Sequence, residues 1–164
     1  KPSGRPLILA ALPEHHHAFR QVSRNPLLMD KGIDVHPDAL ASIDELRLRA
    51  WQVIEPHYLA RLAGLIEEFA GARPKGLAED DPAKVAKAVT AGRVGKLLVE
   101  AGRVIPGRIQ PATGDIEFGE LDNPELDDVL DDLAELAIEK GGQVVIVPAE
   151  RMPTTTGVAA IYRY

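Results

Sequence analysis

Apolar positions along the chain come in short unbroken runs, separated by stretches in which they recur at helical spacing. Arg5 to Leu12 is an apolar run that reads as a buried strand. Pro13 permits a helix start, Glu14 to Ser23 continues it, and Asn25-Pro26 breaks it. Leu27 to Ile33 reads as another short strand ending near Gly32, and residues 34–41 as a linker. Ser42-Ile43-Asp44-Glu45 has the capping-box pattern, in which a hydroxyl satisfies an open amide of the first helical turn. The helix it starts runs to about Glu55, where Pro56 either kinks it or begins a second one. Leu59, Leu62, Ala63, Ile66 and Phe69 form one stripe on that second part, Gly71 ends it, and residues 72–80 read as a loop.

The remaining pattern alternates helix and strand. Asp81-Pro82 places an N-cap before a proline at the first helical position, and Val85, Ala86 and Val89 make the inner face of a helix leaving at Gly92. Lys96 to Val99 is a strand, and residues 102–119, with short β-branched pieces between glycines and prolines, read as a hairpin-like insertion. Asn123-Pro124 opens a helix over 124–140 with Leu126, Val129, Leu130, Leu133, Leu136 and Ala137 inward and Asp127, Asp128, Asp131, Asp132 and Glu135 outward. Gly141-Gly142 stops it, Gln143 to Val147 is a buried strand, and Val158 to Tyr162 the last strand. This order predicts an α/β layered domain, with residues 81–164 forming one sheet covered by the 82–92 and 124–140 helices.

Charge sharpens the picture at one place. The net charge is −6, and nine of the 25 acids lie in residues 120–139, where there is no lysine or arginine. The acidity therefore belongs to one helix, and the rest of the chain carries a slight basic excess. The absence of cysteine removes disulfides, thiol nucleophiles and zinc–thiolate sites, which fits a cytoplasmic protein. No apolar run approaches the ~20 residues that cross a bilayer, and no cationic leader with an apolar stretch is visible. The chain opens on Lys1 with strand-like residues close behind, the expectation for a piece of a longer protein.

A family resemblance enters at the C-terminal residues. Lys140-Gly141-Gly142, the strand Gln143-Val144-Val145-Ile146-Val147, and then Thr156-Gly157-Val158-Ala159-Ala160-Ile161-Tyr162-Arg163-Tyr164 resemble the last domain of archaeal and eukaryotic class 1 peptide-chain release factors and of pelota. Ala91-Gly92-Arg93-Val94-Gly95-Lys96-Leu97-Leu98-Val99 is similar to that family's helix-to-strand step, and Leu7-Ile8-Leu9-Ala10 before a helix to the end of its middle domain. The fit is to bacterial relatives of these factors. The resemblance implies a three-layer α/β/α sandwich over 41–164, like that of kink-turn-binding ribosomal proteins, with residues 1–40 ending an RNase-H-like middle domain. It also implies a part that docks partners, such as a translational GTPase or the ribosome; no cofactor is assigned.

Gly141-Gly142-Gln143 spells the tripeptide with which release factors hydrolyse peptidyl-tRNA. That chemistry needs the glutamine on an exposed loop of the middle domain. Here the glycines stand where a helix must stop and a positive φ is required, so the structural reading is preferred. His15-His16-His17 suggests metal, yet consecutive side chains on a helix diverge by about 100°, and convergence would need Glu14 or His57; no metal site is assigned. Thr154-Thr155-Thr156 before Gly157 could hold a phosphate through hydroxyls and amides, but a plain loop is favoured. Ser3, Ser23 and Ser42 are the only serines, and none stands in a nucleophile motif. Lys84, Lys87, Arg93, Lys96, Arg103 and Arg108 are the candidates for contact with rRNA phosphate or a partner, and Asp127, Asp128, Asp131, Asp132 and Glu135 for a partner-facing acidic helix. The expected function is a translation-associated binding module without catalysis of its own. The alternatives are a scaffold for a hydrolase or nuclease whose active site lies upstream, and an interaction or oligomerisation module that has left the ribosome.

Overall fold

The computed structural model describes residues 5–36, 39, 42–119 and 127–164. It divides into two compact units, Lys1–Arg61 and Leu62–Tyr164. The division falls inside a long helix, beyond the 40/41 boundary expected from the sequence.

Unit 1 has less strand than its apolar runs predict. Among its described residues only Ala10–Ala11 (β1) and Ile33–Asp34 (β2) pair as strands, in parallel, with one further bridge from Leu7 to Leu28. Pro6 and Pro26 flank that bridge and lack the N–H a ladder needs. Residues 5–7 are exposed, so the expected buried strand is confined to its second half. Helix α1, Pro13–Val22, follows β1 with proline in its first turn and buries no residue. The core of the unit is small: Ile33, Val35 and Val53, with Ile8, Ala10, Met29, Leu46 and Ala50 packed on them.

Helix α2, Ile43–Ala72, carries the chain into unit 2. The Ser42 hydroxyl accepts the Glu45 amide at 3.2 Å, as the capping pattern predicts. Pro56 lies inside one continuous helix. A proline there forfeits one amide bond, and the flanking turns carry the helix through it. In unit 2 its buried positions are Leu62, Leu65 and Phe69, while Ala63, expected on the stripe, is exposed. A short 3-10 turn, Arg73–Lys75, ends at Gly76 with φ 70°.

The main sheet of unit 2 contains four strands. Ala78–Glu79 (β3), within the stretch read as loop, is its first. Helix α3, Pro82–Thr90, is capped by the Asp81 carboxylate, which accepts the amides of Ala83 and Lys84 at 2.9 and 3.3 Å. Val94–Glu100 (β4), Gln143–Val147 (β8) and Val158–Tyr162 (β9) complete the sheet in the order β3-β9-β4-β8. The β4–β8 pair is parallel, and the β4–β9 and β3–β9 pairs are antiparallel. Leu97 and Val99 of β4 and Val158 and Ala160 of β9 point to one face. They pack there with Val85 and Val89 of α3 and Leu130, Leu133 and Ala137 of helix α4, Val129–Glu139. Leu98 and Ala159 alternate to the other face and are equally buried. On that face Lys96 reaches Glu68 at 2.7 Å, so the last turns of α2 form the third layer of the α/β/α sandwich.

The insertion between β4 and α4 is a hairpin, as expected, and gains a third strand. Pro106–Ile109 (β5) pairs antiparallel with Ile116–Phe118 (β6) and with Asp127–Asp128 (β7). Gly107 sits where a Cβ would come within 2.7 Å of Val129 Cγ2 and of the Glu117 carbonyl, which lets the small sheet lie directly on α4. At the hairpin tip, Gly114 meets the α3 backbone at Ala86 and Lys87 in the same way.

Candidate functional site

The acidic helix is shorter than predicted. Asp127 and Asp128 do not belong to it: they pair in β7 with Gly107 and Pro106. The Asp128 carboxylate accepts both the Leu130 amide at 3.0 Å and the Ile105 amide at 2.9 Å, so it caps α4 and anchors β5. A carboxylate at an N-cap satisfies an otherwise open amide, which is why the helix starts one residue after it. The predicted cap Asn123-Pro124, with Leu126 of the inner stripe, lies outside the described residues.

Asp131, Asp132 and Glu135 are on α4. Asp132 is half-buried, its Oδ2 3.4 Å from the Ile109 amide. With Glu135, Glu139 and Leu136 it lines a cleft of about 170 Å³ against Ile109 and Pro111. Asp131, Glu135 and Glu139 make no ion pair among the described residues. Glu139 was legible as one more turn of the same face. Ile109 and Pro111 were not, because nothing local marks which insertion residues fold back on a helix more than twenty positions on.

The six basic candidates do not form one patch. Lys84 and Lys87 are on the exposed side of α3, paired with Glu79 at 3.3 Å and Asp115 at 3.1 Å. Lys96 is on the opposite face of the sheet, on Glu68. Arg103, in the turn after β4, donates to Glu100 at 3.2 Å and to the Thr155 carbonyl at 2.8 Å. Arg93 lies 4.8 Å from the centre of the Tyr162 ring, and Arg108 is exposed on β5.

Glu79, missed in the sequence, is the hub of this edge. Burial acts to raise its pKa, but the amides of Asp81 and Asp80 and the Lys84 ammonium outweigh it, and its carboxyl titrates below the usual range. Lys84 is raised in return, first by its hydrogen bond to Glu79. Asp115 is lowered by Thr113 and then by Lys87. Tyr162 is raised, chiefly by burial and next by the Glu79 charge.

The Gly-Gly-Gln tripeptide is a helix stop. Gly141 has φ 74°. The Gly142 amide donates to the Ala137 carbonyl at 2.7 Å, and a Cβ on Gly142 would come within 2.9 Å of that same oxygen. Gln143 is the first residue of β8 and pairs with Lys96. The expectation of a buried strand is corrected here: β8 ends the sheet order, and Gln143 and Ile146 are exposed. Arg163 clasps this corner, donating from Nε to the Val94 carbonyl at 3.2 Å and from Nη2 to the Lys140 carbonyl at 2.9 Å.

The other candidates separate. His16 Nε2 lies 3.0 Å from the Ala11 carbonyl and 3.6 Å from Asp34, whereas His17 bonds Gln21. Among the described residues no three His, Asp or Glu side chains converge to hold a metal ion. Thr154 and Thr156 both spend their hydroxyls on the Val158 carbonyl.

The sequence matches bacterial archaeo-eukaryotic release factor family 3 over residues 1–93. The chain belongs to that family. No curated protein sequence matches it. Among solved structures, its fold is similar to the C-terminal domain of the peptide chain release factor from Methanosarcina mazei, with a TM-score of 0.56 at 18% identity, covering 74% of this chain and 93% of that domain. Pelota of Archaeoglobus fulgidus follows at TM-score 0.52 and 21% identity, with 98% of this chain and 49% of that one covered. Dom34 of S. cerevisiae matches at 0.51 and 16%, with 98% and 47% covered. The family 3 chain thus spans about half the length of these pelota-type proteins. No helix among its described residues is long and apolar enough to cross a membrane.

Proposed function

We propose that this family 3 chain is the partner-docking part of a translation-associated protein that works in the cytoplasm on or near the ribosome. Family membership carries the reading. The chain is similar in fold to a release-factor C-terminal domain, and the yeast neighbour is described as a translation termination-like factor of RNA quality control that interacts with Hbs1. A translational GTPase is accordingly the partner class to test first. Residues 1–40 then end an RNase-H-like domain, and any catalysis belongs to residues outside this chain. The docking face is the exposed side of α4, carrying Asp131, Asp132 and Glu135. Contact with rRNA through Lys84, Lys87, Arg93, Lys96, Arg103 and Arg108 is the lesser part of the reading, because four of the six are held by carboxylates and they point to both sides of the sheet. The test is co-sedimentation of the full-length protein with ribosomes across a salt series. Association that weakens with salt is expected; a protein that stays at the top of the gradient at low salt refutes the reading.

A further inference from the structure

The cleft between α4 and β5 has an apolar floor and an acidic rim. Ile109, Pro111 and Leu136 make the floor, and Asp132, Glu135 and Glu139 the rim. At about 170 Å³ it has room for one medium-sized apolar side chain, since an engineered cavity of about 150 Å³ admits benzene. We propose that it docks a basic segment of a partner protein, one that presents a single apolar side chain between lysines or arginines. This rests on the docking reading above and adds the chemistry of the partner.

Charge selects the occupant. Asp132 and Glu135 are one turn apart, as are Glu135 and Glu139, and like charges at such spacing repel. Acids in the first turn are favoured by the helix dipole, which accounts for Asp131 and Asp132. The same dipole disfavours Glu139 in the last turn, where α4 has no basic residue. Nothing within the helix compensates Glu135 and Glu139. Elsewhere in unit 2, Lys84, Lys87, Lys96 and Arg103 are each committed to a carboxylate. Among the described residues Glu135 and Glu139 make no ion pair, so the cleft carries negative charge that an incoming cation can answer, around a floor that an apolar group can cover. Nucleic acid is repelled by the same rim.

Fluorescence anisotropy on the whole 164-residue chain tests this with two labelled heptapeptides, Lys-Arg-Lys-Leu-Lys-Arg-Lys and the same peptide with serine for leucine. The leucine peptide is expected to bind about tenfold more tightly, as partial burial of one such side chain gives. Glu135→Gln with Glu139→Gln should weaken it about tenfold and flatten its salt dependence, whereas Glu150→Gln, outside the cleft, should leave it unchanged. Equal affinity for the two peptides, no effect of the double variant, or tighter binding of a labelled single-stranded RNA overturns the proposal. Failure of the two readings is distinguishable. Peptide binding without ribosome association sinks the translation reading and leaves the cleft standing; ribosome association without peptide binding does the reverse.

Discussion

Replacing Gly141, Gly142 and Gln143 singly with alanine separates a structural corner from a chemical one. Gly141 has φ 74°, a region that costs an L-residue roughly 1–2 kcal/mol. Gly141→Ala should lose about that much, with no clash, since the nearest atom to its Cβ is Arg163 Nη2 at 3.7 Å, an ordinary van der Waals distance. Gly142→Ala is worse, because its Cβ would meet the carbonyl oxygens of Ala137 and Val94 at 2.9 and 3.2 Å. Both are backbone atoms and Arg163 already holds Val94, so roughly 1–3 kcal/mol is expected, the range for overpacking. Gln143→Ala changes an exposed side chain and should fall within about 0.5 kcal/mol of the parent. Urea unfolding followed by far-UV circular dichroism gives the three values, and the fluorescence of Trp51, in unit 1, monitors whether the losses are confined to unit 2. If Gly142→Ala is neutral, or if Gln143→Ala abolishes a peptidyl-tRNA hydrolase activity of the full-length protein while stability is unchanged, the helix-stop reading is wrong.

Three further outcomes follow from the same geometry. Asp128→Ala should destabilise unit 2 by about 1–3 kcal/mol in urea melts, since it removes a cap and leaves the Ile105 amide without its acceptor; Asp128→Asn should recover much of the loss. Arg163→Ala should cost about 1–3 kcal/mol through its two backbone carbonyls, and Arg163→Lys should not restore it, because one ammonium lacks the planar fork. The lowered pKa of Glu79 contributes stability that is complete above the ordinary glutamate value of 4.5 and is lost as pH falls through the lower folded value. The difference between the parent and Glu79→Gln should therefore hold steady above about pH 5 and close below it, and a difference that grows on acidification would contradict the assignment.

Local chemistry made much of this fold legible. The Asp81-Pro82 cap, the Ser42 cap and strand β9 stand where their residues predict, because each is decided within four or five positions. The acidic stripe was visible too, but its start was misplaced: Asp127 and Asp128 look like helix surface until β5 is there to pair with them. Strand β3 was hidden for a similar reason. Ala78-Glu79 has no strand character of its own and is held by Ile161 and Ala160 of β9. Pro56 left two readings open, and the one in which the same helix continues past it holds, since a single lost amide bond does not outweigh the rest of the helix. The floor of the cleft depends on how the hairpin lands on α4, which no spacing encodes.

Strand β9 follows every other strand of its sheet in chain order, yet it lies between β3 and β4. Among the described residues strand β3 pairs with β9 alone, and one edge of β4 is closed only when Val158 to Ile161 arrive. During synthesis, unit 2 must therefore wait, with its helices made and its sheet open, until nearly the whole of its sequence has emerged. A stop between Glu100 and Val158 would release a unit 2 with an unpaired apolar strand edge, so termination there should mark the product for degradation and leave no shortened, folded form of unit 2.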